Sequence, residues 1–182
     1  MELNIPAIHG VGESLIYYVD RYDEFSIYEV DFRPIPGVDP NPPAINGLNF
    51  FGIVQYVSVD RTDDWLEFYS QIFGFTPIPD TERFGIMPTG LLLRSPCRNF
   101  YLQLIEPEGA AQYAPMEEHL QRIGLGTRDV IATAAELEQR GIEFLVSEKV
   151  HASDRGALTT ASLGSVMFEL VHDDPSIHAG PQ

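Results

Sequence analysis

Apolar and polar positions alternate in a pattern that the chain carries twice. Residues 54–78, VQYVSVDRTDDWLEFYSQIFGFTPI, read as a strand, a turn, an amphipathic helix, a Gly stop and a second strand. Residues 121–145, QRIGLGTRDVIATAAELEQRGIEFL, read the same way. Val59 and Thr127 close the two first strands, and Gly74 and Gly141 stop the two helices. Both pairs stand about 67 residues apart, so one unit is present in two copies. In the first helix Trp65, Phe68, Tyr69 and Ile72 recur at helical spacing and predict the buried face. Thr62 is placed to cap it, with Asp63 and Asp64 at its positive end. In the second, Asp129 is the predicted cap, and Val130, Ala134 and Leu137 share the buried face.

Each copy continues into further strands. In the first, residues 75–78, 90–94 and 99–106 alternate as strands. In the second, residues 142–146, 156–161 and 165–172 do so. The predicted unit is therefore β-α-β-β-β, spanning residues 49–107 and again 121–174, with a connector at 108–120 that has room for a short helix. In front, residues 12–20 and 25–33 read as two strands of a β-hairpin within a leading segment 1–33. A Pro-rich linker follows at 34–48, and residues 175–182 read as a frayed tail. The predicted class is α+β. One unit leaves a concave sheet face uncovered, and two units side by side enclose a cavity lined by the first and last strands of each.

Net charge is −16 with 27 acidic against 11 basic residues, which disfavours nucleic acid and anionic membrane surfaces as partners. Cys97 is the single cysteine, so no internal disulfide forms and a reducing, cytoplasmic setting is expected; beside a strand, with no His close in sequence, it reads as structural. No apolar run is long enough to span a membrane, and MELNIPAIHG lacks the basic and apolar parts of a signal peptide. The glycines of HGVGES open no helix and make no dinucleotide fingerprint, and no GxSxG, P-loop or CxxC pattern occurs.

Two such units, with VSVDRTDDWLEFYSQIFGF opening the first and LQLIEPEG and HLQRIGLGTRDV at the junction, resemble the vicinal oxygen chelate superfamily. That group includes glyoxalases, methylmalonyl-CoA epimerases, bleomycin-resistance proteins and extradiol dioxygenases. ELNIPAIHGVGESLIYYVDRY, SIYEVDF, PIPGVD and VMFELVHDD extend a closer resemblance to the second half of bacterial hydroxyphenylpyruvate dioxygenase, with the end of the first half in front. Similar domains also occur fused behind a dehydroshikimate dehydratase barrel. The resemblance implies a paired-module half-barrel, and it implies that these residues are part of a longer polypeptide or of a homo-oligomer.

It also implies a metal site that this sequence only partly carries. The family holds Fe(II) with two His from the first strand of each unit and one Glu from the last strand of the second. The Glu falls on Glu169 of MFELV. The second His falls on Arg122, and the first on Val54, or on Ile53 when counted from Gly47 and Leu48. Gln55 reaches inward only if the register slips by one, and the fourth ligand position of glyoxalase-type relatives falls on Gln103. Arg122 stays protonated and offers no lone pair, so it is expected to pair with Glu169 in place of a metal. His119 sits in the polar connector and reads as solvated, and His172 lies on the opposite side of its strand from Glu169.

Three functions compete. The chain is a degenerate dioxygenase-like module of an aromatic or keto-acid catabolic protein, with no cofactor of its own and with Arg122 as an ion-pair or anion contact for a small organic acid. Alternatively it is an active enzyme using Fe(II) or another divalent metal on Glu169, Gln103 and Gln55 or His119. The third reading is a metal-free small-molecule binder. The missing His residues favour the first and third.

Overall fold

A computed structural model describes residues 5–20, 22–24, 26, 28–29, 32–82, 89–107, 117–146, 152–161 and 166–173. The leading segment forms a short antiparallel hairpin, β1 (Ala7–His9) with β2 (Leu15–Tyr17), joined by a tight 3-10 turn at Val11–Glu13. This hairpin sits earlier in the chain than the predicted one. Tyr28 and Glu29, expected in its second strand, are helical, and Tyr28 and Phe32 pack ring to ring at 5.6 Å one helical turn apart. Residues 34–44 run exposed, their prolines favouring an extended path, and Leu48 packs back against the second unit's core.

The two units follow as β3 (Asn49–Tyr56), α1 (Thr62–Phe73), β4 (Thr76–Pro77), β5 (Leu91–Arg94) and β6 (Tyr101–Ile105), then β7 (His119–Thr127), α2 (Val130–Gln139), β8 (Gly156–Leu158) and β9 (Met167–His172). All but β1 and β2 form one seven-stranded sheet in the order β4-β5-β6-β3-β7-β9-β8. Within each unit the first strand lies parallel to the last, β3 to β6 and β7 to β9. The units join where β3 pairs antiparallel with β7. The expected strand at 142–146 reduces to a single bridge, Phe144 to Thr159, and the second unit starts at His119 rather than Gln121. The expected connector helix lies mostly in residues 108–116, and the expected tail in 175–182; both stretches are outside the described residues, as are His151 and His178.

Three apolar clusters hold the sheet. On the α1 face, Tyr69, Phe75, Val57, Leu93, Leu102 and Leu104 pack with Val11 of the leading turn, flanked by Trp65, Leu66, Phe68 and Phe73. Phe73 takes the place expected of Ile72, which is 49% exposed at the edge of the helical stripe. On the α2 face, Val130, Ala134, Ala157 and Leu170 pack with Leu137. Between the units, Phe51, Ile78, Leu92, Tyr101 and Val171 line the concave side, with Phe51 stacked on Tyr101 at 4.6 Å. The leading hairpin is thus built into the core of the first unit. Gly12 has φ +64°, and a Cβ there would run into the Glu118 carbonyl, so the turn can approach β7 only as glycine.

Helix α1 is not capped from within. Arg61 occupies the cap position without a side-chain bond, and Thr62 is already helical. Glu106, just beyond β6, accepts instead from the Thr62 amide (3.0 Å), the Thr62 hydroxyl (2.6 Å) and the Asp60 amide (3.2 Å). Burial pushes its carboxyl up, but these hydrogen bonds outweigh burial and leave it below its ordinary value. A carboxylate held low stabilises the fold above its unfolded value and loses that contribution as pH falls through the folded one. Glu106→Ala should therefore cost about 1 kcal/mol in urea denaturation at neutral pH. The gap to wild type should be constant above pH 4.5 and close below it.

Candidate functional site

Arg122 and Glu169 meet on the concave side. The β7–β9 register sets Gly124 opposite Glu169 and Arg122 opposite Met167, so Arg122 lies two residues along, on the same face. Gly124 has no side chain, which leaves space over the strand between them. Arg122 Nη1 lies 3.1 Å from Glu169 Oε2, with the two residues 2% and 4% exposed. A charge-assisted bond of this kind compensates two charges that burial would otherwise make very costly.

The remaining expected site residues separate into two groups. Gln103 lines the same small space as Glu169, together with Gly52, Val54 and Tyr101, and its Nε2 donates to the Thr89 carbonyl at 2.6 Å. That space amounts to about 30 Å3, room for about one water. Val54 pairs with Arg122 across β3 and β7, so an apolar side chain stands where the first His is expected. Gln55 is a correction: it does not reach Glu169. The register shift beside it inserts Gln121 on β7, so alternation along β3 leaves Gln55 on the α1 face, where its Oε1 accepts from the Tyr69 hydroxyl at 2.8 Å.

His119 does not join the site either. It opens β7 half-buried, its Nδ1 2.7 Å from the Glu117 carbonyl and its ring edge-on to Tyr56 at 5.6 Å. His172 is exposed at the end of β9. Cys97, expected to be structural, is exposed in the turn between β5 and β6 with its thiol 3.2 Å from Ser95 Oγ; the Ser95 hydroxyl is the main cause that lowers its pKa.

Sequence reasoning missed Glu118. Its Oε1 accepts from the Trp65 indole at 3.1 Å and from the Ser58 amide at 3.2 Å, tying the start of the second unit to the first. Nothing in MEEHL distinguishes it from a solvated acid.

These residues do not fit an Fe(II) centre of two imidazoles and a carboxylate. Such a site needs several lone pairs converging on one point with open positions beside them. Here the carboxylate faces a permanent cation and the apolar Val54 stands at one ligand position. Among the described residues no group of three or more His, Cys, Asp or Glu converges to hold a metal ion.

Residues 48–170 match the Glyoxalase/Bleomycin resistance protein/Dioxygenase superfamily. The chain belongs to that superfamily. Residues 1–33 match the N-terminal family of hydroxyphenylpyruvate dioxygenase. The 4-hydroxyphenylpyruvate dioxygenase of Pseudomonas aeruginosa is 35% identical over 79% of this chain and 43% of its own length. That of Legionella pneumophila (strain Philadelphia 1) is 31% identical over 78% and 42%. A 3-dehydroshikimate dehydratase of Pseudomonas aeruginosa is 26% identical over 79% of this chain and 24% of its own. The chain thus spans less than half the length of these curated relatives.

Among solved structures, a xylose isomerase-like TIM barrel/4-hydroxyphenylpyruvate dioxygenase fusion protein aligns with a TM-score of 0.65 at 18% identity, over 94% of this chain and 32% of that one. A 4-hydroxymandelate synthase mutant from Streptomyces coelicolor aligns at 0.53 and 15% identity, over 72% and 52%. Both show the shared fold. The paired β-α-β-β-β architecture expected from the sequence is therefore the superfamily's, with an open rather than closed sheet. No helix among the described residues is long and apolar enough to cross a membrane.

The buried pair makes a direct stability prediction. Arg122→Met leaves the Glu169 carboxylate buried without its cation and should cost about 3–5 kcal/mol in chemical denaturation. Adding Glu169→Leu should return most of that loss, because no buried charge remains. A double variant as unstable as Arg122→Met would show that the space, not the charge, sets the cost.

Proposed function

We propose that this chain is a hydroxyphenylpyruvate dioxygenase-like domain of a bacterial aromatic or keto-acid catabolic protein, in which an internal ion pair stands in place of the iron centre. On this reading it is a non-catalytic module that packs against the remainder of a larger polypeptide or against copies of itself. The observation that carries the reading is the 3.1 Å contact between Arg122 and Glu169. Glu169 is the one residue of the family's ligand set that this sequence keeps, and its charge is already balanced by a cation that cannot be displaced by deprotonation. An anion contact at Arg122 is less favoured for the same reason: a small organic acid would have to compete with a carboxylate already in place.

Support from the comparisons is at the level of the domain. Relatives at 35% and 31% identity carry the name 4-hydroxyphenylpyruvate dioxygenase, and an iron centre of two His and one carboxylate needs ligands that are absent here. The competing reading, a divalent-metal enzyme using Glu169 and Gln103, rests on the small space that those two residues share.

Elemental analysis after loading with Fe(II) or Mn(II) decides between them. The wild-type chain should carry well under one metal per chain, and Glu169→Ala should not change that. Stoichiometric metal that disappears in Glu169→Ala would overturn the proposal and direct attention to keto-acid turnover. As a control on the geometry, the double variant Val54→His/Arg122→His should gain metal binding, because it restores two imidazoles beside the carboxylate.

A further inference from the structure

The larger cavity of the first unit lies on the side of the sheet away from Glu169. It measures about 520 Å3 and is bounded by β2, β3, β6 and α1. Small-molecule sites fall roughly between 300 and 1,000 Å3. Its walls are apolar and largely aromatic, with Phe73, Phe75 and Phe100 around Ile16, Ile53 and Leu102, and none of its lining residues is charged.

Four polar side chains, Ser14, Ser95, Gln55 and Tyr69, interrupt this wall, and the last two are bonded to each other. Gln55 and Tyr69 are 4% and 5% exposed. The Tyr69 hydroxyl donates to Gln55 Oε1 at 2.8 Å, and among the described residues this is the sole hydrogen bond of the Gln55 side chain. Its amide nitrogen is left with two N–H donors beside an apolar space. An acceptor placed in the cavity would gain a hydrogen bond from these donors in an apolar setting. Burial pushes the Tyr69 hydroxyl up to about 12, against the smaller opposing effect of its bond to Gln55, so it remains a donor and keeps the amide oriented at neutral pH.

We propose that this cavity binds a neutral aromatic molecule bearing a carbonyl, with the ring among Phe73, Phe75 and Phe100 and the carbonyl oxygen accepting from Gln55 Nε2. The charge-free lining sets neutrality, since a carboxylate or amine would lose its hydration without a counter-charge. The three phenylalanines favour a ring through edge and stacking contacts. The free N–H groups select an acceptor. This inference is independent of the metal question, because the cavity and Glu169 lie on opposite faces of the sheet.

The test is a fluorescence titration of the whole chain with prodan, a neutral naphthyl ketone whose emission reports polarity and hydrogen bonding. Saturable one-to-one binding with blue-shifted emission is expected. The double variant Gln55→Leu/Tyr69→Phe removes both polar partners at similar volume and should keep the fold. Its affinity should fall roughly tenfold, and bound prodan should emit further to the blue, because the ketone loses its hydrogen bond. Leu120→Trp should fill the cavity and abolish binding. If that variant fails to fold, Leu15→Trp, placed on the hairpin at a residue 50% exposed, takes its role. Absence of saturable binding to the wild type overturns the proposal. So does unchanged affinity in the double variant or in a folded Trp variant, since prodan would then be adhering elsewhere.

Discussion

The two units are joined through one antiparallel strand pair, β3 against β7, and the chemistry of both faces follows from its register. Side chains alternate along a strand, so a slip of one residue would exchange the faces of every residue beyond it. The pairing contains two irregularities, between Phe50 and Gly52 and between Val54 and Gln55. A bulge of this kind re-aims the side chains that follow it. At the second, the extra residue is Gln121 on β7, so β3 keeps its alternation: Val54 lies opposite Arg122 and Gln55 points to α1. On the other edge of β3, a Cβ at Gly52 would run into the Tyr101 carbonyl, so β3 and β6 can approach only with glycine at that position.

Given that register, Arg122 and Glu169 are brought together by β7 and β9 alone. A buried ion pair adds little net stability over apolar residues of equal size, because both charges must first leave water. Its structural meaning is different. A buried carboxylate needs some positive partner, and in this chain the partner is a side chain fixed to the neighbouring strand. The pair therefore satisfies Glu169 within the protein itself, and the close packing of Phe51, Tyr101 and Val171 around it leaves little free space.

The opposite face is arranged in the reverse sense. There Tyr69 and Phe73 of α1, with Phe75 and Phe100, surround an open cavity, and the leading hairpin forms one of its walls. Val11 is fully buried in the same cluster as Leu93, Leu102 and Leu104. The hairpin is thus continuous with the core of the first unit, even though residues 1–33 and 48–170 match different families. The capping of α1 by Glu106 and the anchoring of Trp65 by Glu118 come from the same economy of design. In both cases a carboxylate from a strand end satisfies donors that the helix and its approach leave open.

The sequence by itself determined the repeat and the order of strands and helix within each unit. Those features are local: hydrophobic period, a cap at Asp129 whose side chain accepts from the Ala132 amide, and glycine stops at Gly74 and Gly141 with positive φ. The hairpin was placed too late in the chain, because the Ile-, Tyr- and Phe-rich stretch after residue 24 has strand composition whatever its backbone does. Alternation from Val54 already sends Gln55 to the outer face, and tertiary structure alone decided that it meets the Tyr69 hydroxyl there. It also turned Tyr69 from a core residue into the partner of a buried amide, and made Glu106 and Glu118 structural acids. Each of these contacts joins residues between 14 and 60 positions apart. Local patterning cannot register them, because they exist only once the sheet has set its strands side by side.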